Sequence, residues 1–194
     1  MFTENNLGKL VLITGGARSG KSSLAEQLAR SAAGPATYIA TAAVLDEEMV
    51  LRVKLHQKRR PQEWSTVEET LDLVGALAKV PENTATVIVD CLTIWLTNQL
   101  AEYYHEDMSE NEIMAVEKKI QDHLAHFCAA AAAKPYRTVV VTNEVGCGVV
   151  PAYPLGRVFR DMAGRANQQV ARAADSVWLA VCGYPLCVKP YQGR

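Results

Sequence analysis

Five short runs of the chain are apolar at nearly every position and rich in β-branched residues: 9–14, 37–41, 86–90, 138–142 and 176–182, with a shorter sixth at 186–189. Unbroken apolarity over such lengths marks strands covered on both faces, because a half-exposed strand would alternate. Between these runs the apolar positions fall into a helical rhythm over 22–33, 46–60, 67–79, 109–133 and 157–174. Strand and helix in alternation predict an α/β domain with a mainly parallel sheet and helices on both sides. Only Gly183, Tyr184 and Pro185 separate the last two runs. That spacing allows a hairpin and no crossover helix, so one sheet edge is expected to be antiparallel. The alanine run 129–133 reads as a helix end stopped by Pro135, and the polar stretch 101–112 as a surface excursion. No repeat or linker divides the chain, and 1–194 is expected to form a single domain.

Composition narrows the class. The 194 residues are 49% hydrophobic and 21% charged with a formal net charge of −1, enough apolar material for one ordinary core and unlike a disordered or fibrous chain. Balanced charge argues against nucleic acid as a partner, since phosphate-backbone binding leaves a basic excess. No apolar run approaches the ~20 residues of a membrane helix, and MFTENNLGKL lacks a basic flank leading into an apolar stretch. A soluble, cytoplasmic protein without a membrane span is expected. The five cysteines, Cys91, Cys128, Cys147, Cys182 and Cys187, include no CxxC pair. They suggest neither a disulfide framework nor a zinc knuckle, and most are expected to be small core residues in a reducing compartment.

Local chemistry changes this bland picture. Residues 15–22 read GGARSGKS, that is Gly15, Gly16, Ala17, Arg18, Ser19, Gly20, Lys21 and Ser22. This is a full GxxxxGK(S/T) match lying between a strand-like and a helix-like run, the context a phosphate loop requires. Loop amides and the first helical turn, reaching Ser23, would face phosphates, Lys21 would neutralise them and Ser22 would ligate Mg²⁺. Arg18 adds a cation that either faces the ligand or solvent. Asp90 ends the strand TVIVD, where a metal-side carboxylate belongs in an open parallel sheet, although capping a helix that begins at Cys91 and Leu92 would also explain it. Asn143 and Glu144 end another strand on that edge; neither is assigned to catalysis. Cys91, where many water-activating ATPases place a glutamate, and the lack of an NKxD motif favour transfer to a bound acceptor over hydrolysis or switching.

In DEEMVLRVKLHQKRRP, residues 46–61, acids precede bases as the helix dipole favours. Arg52, His56 and Arg60 fall at i, i+4 and i+8, with Arg59 three residues after His56, so one face offers an imidazole among guanidinium groups. Such a face suits nucleophilic attack on a phosphate, the cations also keeping the imidazole neutral. Spacing alone favours a solvated basic face, since charge runs on helices usually face water.

GGARSGKS, YIAT at 38–41, DEEMVLRVKLHQKRRPQEW at 46–64, VDCLTIWLTN at 89–98, VTNEVGCGVVP at 141–151 and FRDMAGRANQ at 159–168 together closely resemble the bifunctional adenosylcobinamide kinase / adenosylcobinamide-phosphate guanylyltransferase family, in order and over nearly the whole chain. The resemblance implies a RecA-like phosphate-loop fold and the assembly of the cobalamin nucleotide loop. Adenosylcobinamide would be phosphorylated with ATP or GTP, and adenosylcobinamide phosphate would then receive GMP from GTP through a GMP-histidine, releasing pyrophosphate. His56 takes the nucleophile's place in RVKLHQKRRP, with Gln57 where the family often has a base and Cys147 between the glycines of VGxG. Nucleotide contacts would map to the phosphate loop, Thr41, Ala42, Ala43, Gln57, Lys58, Arg59, Arg60, Glu68 and Asp90, with Glu69 an alternative to Glu68. Catalysis would rest on His56 and Lys21, and Mg²⁺ on Ser22 and Asp90. The segment 159–167 would contact corrinoid or a second subunit, unless Arg160, Asp161 and Arg165 are surface ion pairs, and a homotrimer is implied. The phosphate loop and Asp90 alone would also fit a small-molecule kinase without a covalent step, or a nucleotide-dependent assembly module.

Overall fold

The computed structural model describes residues 7–42, 61–190 and 192. The helix expected over 46–60, and with it Ala43, His56, Gln57, Lys58, Arg59 and Arg60, lies outside the described residues. The apolar runs form β1 (Leu10–Thr14), β2 (Ala36–Ala40), β4 (Thr86–Asp90), β5 (Arg137–Val141), β6 (Ser176–Val181) and β7 (Tyr184–Lys189), joined by a short β3 (Ser65–Glu68). They make one seven-stranded sheet in the order β3-β2-β4-β5-β1-β6-β7. Every pair is parallel except β6–β7. That hairpin turns on Cys182 (φ 50°) and Gly183 (φ 84°); two positive φ values match the right-handed strand twist, so β7 starts at Tyr184 rather than Leu186.

Among the described residues the helices are α1 (Lys21–Ser31), α2 (Leu73–Ala78), α3 (Leu92–Tyr103), α4 (Glu110–Ala133) and α5 (Pro154–Ala173). Strand residues alternate between two cores. Leu10, Leu12, Val87, Val89 and Val140 pack under α2 to α5, while Val11, Ile13, Ile88, Val139 and Val141 pack under α1. Apolarity at every position of β1, β2, β4 and β5 therefore meant two covered faces, as expected, whereas the run 186–189 lies on the edge strand β7 with Leu186 and Val188 exposed.

Three expectations need correction. Residues 67–79 are not one helix: Ser65–Glu68 pairs with β2, and α2 starts only at Leu73, capped by Asp72, whose Oδ1 accepts from Gly75 N–H at 2.9 Å. The stretch 101–112 begins inside α3 and ends inside α4, whose start is fixed by a Ser109–Glu112 capping box. Of the cysteines only Cys91 and Cys128 are buried, while Cys147, Cys182 and Cys187 are exposed, because the hairpin turn and the edge strand β7 hold the last two outside either core.

Trp95 of α3 is fully buried, its indole N–H donating to Leu71 O at 2.8 Å. His123 of α4 meets it edge-on, ring centroids 5.3 Å apart. Burial lowers the His123 pKa below the ordinary histidine range and nearby His126 adds to the shift, against the opposing charges of Asp72 and Glu69. Between that depressed value and about 6.5 the unfolded chain holds a proton that the folded chain lacks, so stability falls as pH drops through this window. Thermal unfolding at pH 7.5 and 5.5 should show the wild type losing roughly a few degrees more on acidification than His123→Leu; equal losses would refute the assignment.

Candidate active site

The chemistry-bearing residues gather at the carboxyl ends of the strands, where ligands bind in open α/β sheets. The phosphate loop leaves β1 and returns into α1. Gly15 has φ 152°, and a Cβ there would lie 2.6 Å from Ala180 O; Gly20, the N-cap of α1, has φ 97°, and a Cβ there would come within 2.9 Å of Gly183 Cα. Both positions thus demand glycine for conformation and for space. Ser19 N–H donates to Gly16 O at 3.3 Å, and Gly183 N–H to Ser19 O at 2.8 Å. The β6–β7 hairpin tip therefore buttresses the loop. Arg18 is exposed at φ 56°, Ser22 is half-buried and Ser23 exposed.

Lys21 is buried, 7% exposed, and its ammonium donates to Gly16 O at 2.6 Å. Burial pulls its pKa below the usual lysine range, and the adjacent Cys91 and Asp90 oppose the shift. Asp90, two residues after Ile88 on β4, shares the α1 face of the sheet by strand alternation. It does not cap α3: the N-cap is Cys91, with no side-chain bond, and Asp90 Oδ2 instead accepts the Tyr38 hydroxyl from β2. Burial raises the Cys91 thiol pKa, and the Asp90 charge adds to it, so the thiol stays protonated beside the carboxylate.

Thr41 is fully buried, its hydroxyl accepting from Cys91 N–H at 2.8 Å and donating to Cys91 O at 2.9 Å. Asn98 of α3 donates to Thr41 O at 2.8 Å and Thr70 O at 3.1 Å. The Thr41 side chain is thus committed to latching β2 to the segment after Asp90, and its backbone N–H joins the latch by donating to Asp90 O at 3.3 Å. Glu68 ends β3 opposite Ala40 and is exposed. Glu69 is engaged otherwise: Oε1 accepts from Leu71 and Asp72 N–H, each at 3.1 Å, and Oε2 meets Lys79 Nζ at 3.0 Å. Burial pushes its carboxyl pKa up, but these hydrogen bonds outweigh burial and hold it below the usual range. Among the described residues, the Glu68 carboxylate has no hydrogen-bond partner, whereas that of Glu69 is fully engaged.

Sequence reasoning missed Tyr38 and Asn98, which act through Asp90 and Thr41; a phenol within a buried strand was the available signal for Tyr38. The described part of the chain thus joins a lysine-bearing phosphate loop to a strand-end carboxylate on one face. A family model described as cobinamide kinase / cobinamide phosphate guanyltransferase matches residues 11–188. The chain belongs to that family. It is 41% identical over 181 residues to the bifunctional adenosylcobalamin biosynthesis protein CobU of Escherichia coli K12, covering 93% of this chain and 99% of the relative. CobU of Salmonella typhimurium LT2 is 42% identical with the same coverage, and CobP of Pseudomonas aeruginosa 38% identical over 92% of this chain and 96% of that protein. The enzyme is accordingly a bifunctional kinase and guanylyltransferase of this family.

The segment 159–167 divides among different roles in the enzyme. Phe159 lines an apolar pocket of about 350 Å³ between α3 and α5, with Leu100, Tyr104, Tyr153 and Leu155. Arg160 pairs with Asp161 at 2.8 Å, and Arg165 with Glu117 of α4, so the surface ion pairs weighed from sequence are present. Asn167 instead reaches the sheet edge, donating to Asn143 O at 3.0 Å and accepting the Thr142 hydroxyl at 2.6 Å. Among the described residues no helix is long and apolar enough to cross a membrane.

Proposed function

We propose that the enzyme phosphorylates adenosylcobinamide with ATP or GTP and then joins GMP from GTP to adenosylcobinamide phosphate through a covalent intermediate on His56. The observation that carries the kinase half is the placement of the buried Lys21 ammonium and the Asp90 carboxylate on one sheet face, at the mouth of a loop whose glycines leave its backbone open. An acceptor hydroxyl attacks the γ-phosphorus and loses its proton to water, and the nucleoside diphosphate leaves with the β–γ bridging oxygen. Loop amides and Lys21 stabilise the charge on the transferred group, so positioning and electrostatics carry the step.

Mg²⁺ fits the donors present. Tyr38 occupies Asp90 Oδ2, and among the described residues nothing donates to Oδ1, so Oδ1 and the Ser22 hydroxyl offer the few hard oxygens this ion takes beside phosphate and water. When bound, it supplies positive charge to the phosphates. In the second half, a His56 nitrogen attacks the α-phosphorus of GTP and pyrophosphate departs. A phosphate oxygen of adenosylcobinamide phosphate then attacks the phosphoramidate, and His56 leaves as the protonated imidazole. One difficult displacement becomes two easier ones.

Incubating the enzyme with Mg²⁺, adenosylcobinamide and GTP labelled at the α-phosphorus tests the reading. Adenosylcobinamide-GDP should form, and omitting the corrinoid should leave acid-labile, alkali-stable label on the protein. Absence of both would overturn it. We further propose a homotrimer in the cytoplasm, since a domain of this size is small for a nucleotide and a corrinoid together; light scattering of the same preparation should give three times the 21.2 kDa chain mass.

A further inference from the structure

β5 stands between the phosphate-loop strand and the Asp90 strand, yet contributes nothing to the candidate set above. Register pairs Val141 with Ile13 on β1 and with Asp90 on β4. The residues after Val141 therefore emerge in a gap two strand spacings wide, about 10 Å, with the loop on one side and the Asp90 carboxylate on the other. Val139 and Val141 belong to the core under α1, and Val140 to the core under α5. Continued past the strand, this alternation assigns Thr142 to the α5 side, where its hydroxyl meets Asn167, and Asn143 to the side of α1 and its loop.

The backbone around Asn143 is held by three hydrogen bonds. Thr142 N–H donates to Ile13 O and Glu144 N–H to Gly15 O, each at 3.0 Å, while Asn167 donates to Asn143 O at 3.0 Å. The half-buried Asn143 side chain donates one N–H to Thr93 Oγ1 at 2.8 Å. Thr93 is buried and lies three residues after Asp90. A carboxamide has two N–H donors and an acceptor oxygen, and among the described residues the second N–H and Oδ1 of Asn143 have no partner.

We propose that Asn143 donates this second N–H to a γ-phosphoryl oxygen of the bound nucleoside triphosphate in the kinase step, with Thr93 and Asn167 as positioning residues that aim it. The proposal rests on the kinase reading above. Charge in phosphoryl transfer spreads over three equatorial oxygens. Lys21 and the loop amides approach from the β1 side, and Asn143 approaches from between β1 and β4. A neutral donor suits that place, since a cation there would repel the metal that Asp90 would hold. The amide keeps its proton throughout.

The test compares affinities for ADP and β,γ-imido-ATP with Mg²⁺, and for the guanosine pair in a His56→Ala background, across wild type, Asn143→Ala and Asn143→Asp. Both variants should bind the diphosphates within about twofold of wild type but the imido triphosphates roughly tenfold or more weakly, the size of a lost hydrogen bond to a charged group. Kinase kcat should fall by a comparable factor with the corrinoid KM unchanged. Thr93→Val should show part of the effect and Thr93→Ser should restore it. Unchanged preference for triphosphate over diphosphate in both Asn143 variants would overturn the proposal, as would equal loss of both ligands, which marks a structural role. If wild type forms no cobinamide phosphate while the Asn143 variants still lose triphosphate preference, the contact stands and the acceptor assignment falls.

Discussion

Replacing His56 with alanine is expected to lower guanylyl transfer by ~10³-fold or more while kinase turnover stays within a few-fold of wild type, because a missing nucleophile removes the covalent route itself rather than one stabilising contact. Two assays on one preparation check it. Adenosylcobinamide phosphate should still accumulate from adenosylcobinamide, and protein-bound label from α-labelled GTP should vanish. Retained guanylyl transfer would remove His56 from the mechanism and leave the kinase half intact. Proportional loss of both activities would instead mark His56 as a group the whole nucleotide site depends on.

Lys21→Ala should cost about 10²–10³-fold in kinase turnover, the range seen when one preorganised charge stabiliser is removed from a transition state. Lys21 is already desolvated and donates to Gly16 O, so little reorganisation remains when phosphate arrives. Its burial-lowered pKa adds a pH signature. Above the free-enzyme value Lys21 is neutral, and binding a triphosphate must restore the proton, so nucleotide affinity should decline toward alkaline pH. Titrations from pH 7 to 10 should show that decline in wild type and not in Lys21→Met. A parallel decline in both would assign the alkaline dependence elsewhere.

The local alphabet of the chain carried much of this. GGARSGKS between an apolar run and a helical run located the loop, since glycine conformation, an ammonium and a helix start lie within eight residues. TVIVD located the strand-end carboxylate, because a charge closing a run covered on both faces has to sit at the sheet edge. Alternation along β4 puts Asp90 on the face of Ile88, but only the packing of the fold showed that this face lies under α1.

Other features depend on neighbours that sequence order does not supply. STVE has two exposed positions in four and becomes β3 only by pairing with β2, so its second half, Val67 and Glu68, read as the start of a helix. Glu68 and Glu69 are indistinguishable in the sequence, and the start of α2 separates them by engaging only Glu69. The chain alone determined which groups handle phosphate, since loop conformation and strand ends are local properties. Tertiary structure decided what surrounds them: strand order put β5 between β1 and β4, and packing brought Tyr38 to Asp90 and Asn167 to Asn143. Hydrogen-bond partners far apart in sequence are chosen by the strand order and helix packing that bury them, and no local pattern encodes that choice.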